Sequence, residues 1–169
     1  MCLGADVLRG KNQIPFNGEI NYDYTMWIDS DIIFTPEQFA QLLAHKDKDI
    51  VGGIYLMEGG AAYPVVKEWN IDYFQKNGVF EFLKVNDPSI QNGKPFEVAY
   101  TGFGFVLVKK GVFEKISYPW FPPEFFEFGN DISDFCSEDV GFCRKATSAG
   151  FKVWIDPTIV LRHEKTVAY

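Results

Sequence analysis

Residues 24–31 read YTMWIDSD, so two carboxylates, Asp29 and Asp31, stand one residue apart at the end of an apolar run, with Ser30 between them. Left alone at the end of a buried strand, each carboxylate costs several kcal/mol to desolvate. A hard divalent cation, Mg2+ or Mn2+, resolves this, because carboxylate oxygens suit it. The carboxyl ends of strands in open α/β sheets are also where ligands bind. The competing reading is a solvated strand-to-helix turn, with Asp31 near a helix N-terminus. Glu138 and Asp139 form a second acidic pair, just after Ser137 at a helix start. The helix dipole alone favours acids there. Beside a metal, such a carboxylate stays ionised at neutral pH and can take a proton from an incoming hydroxyl. His163 lies just beyond a last short strand, in LRHEK, and a neutral imidazole is a good ligand for Mn2+. The plainer reading is a structural or exposed histidine. Lys165, two residues on, can point the same way and meet a phosphate oxygen. Thr101-Gly102-Phe103-Gly104 permits close approach of backbone to a ligand. It has no third glycine and no following helix, so it is not a dinucleotide fingerprint.

These groups need elements that gather them. YTMWI reads as a buried strand ending at Asp29. Thr35-Pro36-Glu37-Gln38 opens a helix: Thr35 caps it, Pro36 suits its first position and Gln38 completes a capping box. Phe39, Leu42 and Leu43 give that helix its apolar stripe, and it should end near Lys46. His45 reads as a surface residue matched to the helix dipole. Residues 49–56 (DIVGGIYL) form the next strand, so 22–56 is a βαβ-like unit that predicts an α/β layer. Two runs, 65–74 and 79–85, flank Lys76-Asn77-Gly78 and predict a hairpin. Strands are expected over 96–100 and 105–108, then a helical turn over 112–116. A helix over 137–149 ends at Gly150. Two short strands, 152–155 and 158–161, are separated by Asp156-Pro157. The domain is mixed α/β, with more antiparallel pairing in its second half.

The chain has 169 residues, enough to bury roughly 70% of the unfolded surface in one domain. Sixteen Lys and Arg against 23 Asp and Glu give a net charge of −7, which argues against nucleic acid as a partner. An acidic protein that handles a phosphorylated substrate must neutralise it locally, and a divalent metal is the usual means. No apolar stretch is long enough to predict a membrane span, and no leader-like segment opens the chain. Cys2, Cys136 and Cys143 suit no disulfide framework, and reduced thiols point to the cytoplasm. With 17 Phe, 8 Tyr and 4 Trp, much of the aromatic load must be core. Residues 118–128 (YPWFPPEFFEF) hold three prolines, so they read as an aromatic loop that caps a core or offers a platform to a sugar face.

The order of these motifs is what carries meaning: WIDSDI, then TGFGFVLVKKGVFEKI, then Ser137-Glu138-Asp139, then FKVWIDP leading to RHE. This resembles the metal-dependent glycosyltransferases of the GT-A fold, in particular the small ones of large DNA viruses and phages. The resemblance spans roughly 22–166. It implies that Asp29 and Asp31 hold Mn2+ or Mg2+ and the diphosphate of a nucleotide-sugar donor, UDP-sugar favoured, with Ser30 between them. It implies that His163 completes the metal ligands. It implies Asp139 as the base that deprotonates the acceptor hydroxyl, with Glu138 second choice or an acceptor-binding group. Gly102 and Phe103 would border donor sugar and acceptor, Lys165 would meet a phosphate, and Trp120 of the aromatic loop would stack on the acceptor. That acceptor would be a glycan or glycoprotein, and inversion is favoured.

GT-A enzymes usually begin with a βαβ unit that builds the base pocket, and only 28 residues precede Asp29 here. The expectation is therefore a single catalytic domain over 1–169, a mixed central sheet flanked by helices, shortened at its N-terminus. Arg9 and Asn12 would be the remnant of a helix at the nucleotide site, with Arg9 on the donor. Two rivals follow from the same residues. One is a metal-dependent phosphohydrolase with Asp29 as nucleophile, disfavoured by Ile33 where such loops carry Thr or Val. The other is a non-catalytic carbohydrate-binding or assembly module on the same scaffold.

Overall fold

The structure, a computed structural model, describes residues 2–164. Three single 3-10 turns occupy Cys2–Gly4, Val7–Arg9 and Pro15–Gly18. Strand β1 (Tyr24–Ile28), the two-residue β2 (Ile32–Ile33), helix α1 (Pro36–Leu43) and strand β3 (Ile50–Ile54) follow. Next come β4 (Ala62–Val66), α2 (Ile71–Asn77), β5 (Phe82–Lys84) and α3 (Pro88–Gln91). Strands β6 (Phe96–Val98), β7 (Tyr100–Thr101) and β8 (Phe105–Lys109) precede the short α4 (Val112–Lys115). A hairpin of β9 (Glu124–Gly129) and β10 (Ile132–Cys136) leads into α5 (Glu138–Ser148), β11 (Val153–Val160) and β12 (Arg162–His163).

The central sheet has the order β1-β8-β3-β11-β6, and a smaller sheet has the order β5-β4-β7. Strands β1, β3 and β11 run one way, while β8 and β6 run the other. The chain is thus a mixed α/β fold with a mixed sheet. Side-chain alternation sorts the sheet into two faces. On β8, Phe105 and Leu107 join one apolar cluster with Leu42 of α1. Val106 and Val108 join the other, with Val140, Phe142, Cys143 and Ala146 of α5. Both faces are buried, which is why the β8 sequence FVLVK reads apolar nearly throughout.

The α1 start forms as its sequence predicts: Thr35 accepts from the Gln38 N–H, and the Gln38 side chain accepts from the Thr35 N–H at 2.9 Å. The βαβ-like unit needs one amendment. Strands β1 and β3 run in the same direction, but β8 is inserted between them, antiparallel to both.

The expected hairpin at Lys76-Asn77-Gly78 is instead the end of a helix. Asn70 caps α2 by accepting from the Tyr73 N–H at 3.0 Å, and Gly78 ends it at φ 69°. Asn-Gly suits both a hairpin turn and a helix terminus. The choice falls to Phe74, which is buried and stacks on Phe128 with ring centres 3.7 Å apart. Strands β4 and β5 do pair antiparallel, with the helix between them.

Asp156-Pro157 does not divide two strands. β11 runs through it, with a register jump on β3 between Ile155 and Val160. Within the bulge the Asp156 carboxylate accepts from the Thr158 N–H at 2.9 Å and hydroxyl at 2.6 Å. It also lies 2.7 Å from His45 Nε2. His45 is therefore corrected from a surface residue to a half-buried partner of a buried carboxylate. The expected strand over 96–100 also divides at Ala99, where the chain passes from the central sheet to the smaller one.

The aromatic segment is corrected too. Trp120 is 4% exposed and meets Phe113 and Tyr118 edge to face. Phe121 stacks on Phe142 of α5 at 4.7 Å. Residues from Glu124 onward form β9 rather than loop. The prolines break the chain direction, but the rings fill the core that α5 leaves open. Contact with α5 is close enough that a Cβ on Gly141 would lie 1.9 Å from the Pro122 carbonyl oxygen. Helix propensity alone favours Gly141→Ala by about 1 kcal/mol. Here the substitution should lower stability by at least ~2 kcal/mol, read from the urea midpoint.

Candidate functional site

The carboxyl ends of β1, β3 and β11 point to one edge of the central sheet. The Asp29 N–H donates to the Gly104 carbonyl at 3.0 Å, which extends the β1–β8 ladder by one bond. The Asp29 carbonyl then accepts from the Ile32 N–H at 3.1 Å, closing a turn over Asp29-Ser30-Asp31. β2 leaves that turn and pairs antiparallel with β12, with His163 opposite Ile32. The Glu164 N–H donates to the Asp31 carbonyl at 2.8 Å. This ribbon brings His163 Nε2 to 2.8 Å from Asp31 Oδ2, across 132 residues of sequence. The other ring nitrogen, Nδ1, lies 3.3 Å from the Leu56 carbonyl oxygen.

A carbonyl only accepts, so Nδ1 carries a hydrogen, and Nε2 faces a carboxylate that also accepts. A cation held between Nε2 and Oδ2 would satisfy both of these facing acceptors. A backbone carbonyl on the far nitrogen is the usual way a metal-binding imidazole is oriented. The donor set, one imidazole and carboxylate oxygens, suits Mn2+ or Mg2+. Among the described residues no group of three His, Cys, Asp or Glu side chains forms a ready-made metal cluster. Of the three expected ligands, the structure pairs Asp31 with His163. Asp29 is exposed beside them.

Asp139 stands in the first turn of α5, with Glu138 before it. Its Oδ2 accepts from the Phe103 N–H at 3.2 Å. Burial pushes its carboxyl up to about 6 against the opposing pull of that bond, and the charges of Glu138 and Asp29 push the same way. Glu138 is exposed at the same edge.

Between the two acidic groups lies Tyr55, the residue that follows β3, 7% exposed. Its hydroxyl oxygen accepts from the Gly104 N–H at 3.1 Å. Its ring packs edge-on against His163, centres 5.2 Å apart. Burial, and the nearby charges of Asp29, Asp139 and Asp31, hold its phenol well above the usual range. The glycines of Thr101-Gly102-Phe103-Gly104 exist for this ring: a Cβ on Gly102 would lie 2.6 Å from the Tyr55 oxygen, and one on Gly104 2.6 Å from the ring. Sequence reasoning found the close approach at these glycines but not its occupant. The signal was a tyrosine directly after a Gly-Gly strand, which nothing local separates from a core aromatic.

Other expected residues fall elsewhere. Phe103 is 6% exposed among Trp27, Phe121 and Phe142, so it serves the site through its backbone N–H and offers no ring to a sugar. Trp120, buried as described, presents no face to an acceptor. Arg9 lies in a single 3-10 turn rather than a helix remnant, and its guanidinium bonds to Asn17 at 2.8 Å and to the Gly4 carbonyl. Those local acceptors occupy it, and no described ion pair joins it to the acidic edge. Lys165 lies outside the described residues. No described helix is long and apolar enough to cross a membrane.

The site and fold define an α/β protein with an acidic, histidine-bearing strand edge. No protein-family model matches the chain, and no curated protein does. Among solved structures the chain is similar to A197 from STIV, at 18% identity and a TM-score of 0.47, over 88% of this chain and 69% of that one.

Proposed function

We propose that the protein is a metal-dependent glycosyltransferase of the GT-A type, acting in the cytoplasm. It would move a sugar from a UDP-sugar to a hydroxyl of a glycan or glycoprotein. The observation that carries this reading is the meeting of His163 with Asp31, 2.8 Å apart, at the strand edge where Asp139 also stands. Asp31 and His163, with Asp29 beside them, would hold Mn2+ or Mg2+, which supplies positive charge to the departing diphosphate. Asp139 takes the proton of the acceptor hydroxyl as that oxygen bonds to the anomeric carbon and the bond to the nucleoside diphosphate breaks. A carboxyl poised near 6 is largely ionised at neutral pH and still basic enough to accept that proton. The Phe103 N–H fixes which oxygen faces the acceptor.

The test is a calorimetric titration with a panel of UDP-sugars, in Mn2+ and in EDTA, followed by mass spectrometry of a glycan acceptor. Binding tighter by about tenfold or more in Mn2+, with a mass gain on the acceptor, is expected. Cleavage of the UDP-sugar to UMP and a sugar phosphate, without transfer, would point to a phosphohydrolase instead. Sugar binding indifferent to Mn2+, with neither product, would leave a carbohydrate-binding module and overturn the enzyme.

A further inference from the structure

Tyr55 carries more than the packing of the site explains. The residue is buried, and its hydroxyl oxygen accepts from the Gly104 N–H. A phenol also has one proton to give, and among the described residues no acceptor takes it. That proton is therefore available to a ligand oxygen at this edge. The cost of the arrangement is visible in Gly102 and Gly104, where any side chain would strike the Tyr55 oxygen or ring.

The charges around the hydroxyl decide what kind of oxygen belongs there. Asp29, Asp139 and Asp31 all act on it. A phosphate oxygen only accepts hydrogen bonds, so it can pair with the phenol but with no carboxylate. A sugar hydroxyl accepts from the phenol and donates its own proton to a carboxylate, so it uses both partners. The position also lies between the Asp31–His163 pair and Asp139, where the transferred group would sit in the reaction proposed above. Resting on that reading, we propose that the Tyr55 hydroxyl donates to a hydroxyl oxygen of the transferred sugar. Tyr55 is then a residue that selects the sugar, not one that holds the nucleotide.

The experiment compares wild type and Tyr55→Phe by calorimetry in Mn2+, with UDP and with the UDP-sugar that binds wild type best. Tyr55→Phe should bind UDP as wild type does and bind the UDP-sugar about tenfold more weakly. A second measurement uses UDP-sugars deoxygenated at single positions. Wild type should reject one of them by about tenfold, and Tyr55→Phe should not distinguish it from the parent sugar. Equal loss for UDP and UDP-sugar would make Tyr55 a packing or phosphate residue and overturn the proposal. No loss for either would overturn it too, while leaving the transferase reading intact. If Tyr55→Phe does not fold, the deoxy series on wild type decides: no sensitive position refutes the contact. Failure of wild type to bind any UDP-sugar would instead sink the transferase reading, and this inference with it.

Discussion

Asp139→Asn should lower the rate of sugar transfer by ~100-fold to 10,000-fold and leave Mn2+-dependent binding of the UDP-sugar nearly unchanged. The reason is chemical, because asparagine keeps an oxygen to accept the Phe103 N–H but cannot take a proton. The wild-type rate should fall as the pH drops through about 6, where Asp139 protonates. Stability should move the other way. The folded carboxyl binds its proton more tightly than the ordinary value of 3.8 allows, so protonation favours the fold. That stabilisation is fully present below about pH 4 and is lost as the pH rises through about 6. The span between 3.8 and about 6 corresponds to at most ~3 kcal/mol, reduced by whatever solvent reaches the carboxylate. Asp139→Asn should therefore raise the thermal midpoint at pH 7.5 and change it little at pH 4. A variant that is both slower and more stable is the signature of a base held in an unfavourable place for its chemistry. An Asp139→Asn protein with undiminished transfer would remove Asp139 from the reaction.

Asp31→Asn and His163→Ala should each weaken Mn2+ binding, followed by electron paramagnetic resonance of the free ion, by at least ~100-fold. Asp31 and His163 face each other at 2.8 Å, so each is half of one site. The double variant should be little worse than either single one, because partners that act as a unit are not additive. Asp29→Asn should have a smaller effect on the ion, since Asp29 stands outside that contact, and a larger one on the sugar. Equal losses at Asp29 and Asp31 would show that the ion draws both carboxylates in when it binds. Mn2+ affinity that survives both Asp31→Asn and His163→Ala would put the cation elsewhere.

Much of the candidate site was legible because its groups are announced locally. Asp29 and Asp31 end an apolar strand, and Ser137-Glu138-Asp139 starts a helix, so strand and helix termini were enough to find them. The same holds for α1, whose capping box involves only residues 35–38. What the sequence hid depends on contacts distant along the chain. Lys76-Asn77-Gly78 suits two structures, and only Phe128, far away, favours the helix. Asp156-Pro157 looks like a strand end until His45 and Thr158 satisfy the aspartate inside a bulge. Trp120 sits among prolines that suggest an exposed loop, yet Phe113 covers it. Tyr55 is the sharpest case: its strand was readable, but its place at the candidate site depends on two glycines on β8's approach that leave room for its ring.

The ribbon that delivers His163 is only two residues deep on each side, near the far end of the described chain. So short a pairing belongs among the least stable parts of a fold and opens more often than the sheet beneath it. An ion bridging Asp31 to the imidazole would bind only the closed form, and by mass action would hold that ribbon shut. Cation occupancy and docking of the last described strand are then two faces of one equilibrium. Amide exchange at Glu164, whose N–H donates to the Asp31 carbonyl, would slow in proportion to manganese concentration, making the backbone itself a gauge of how full the site is.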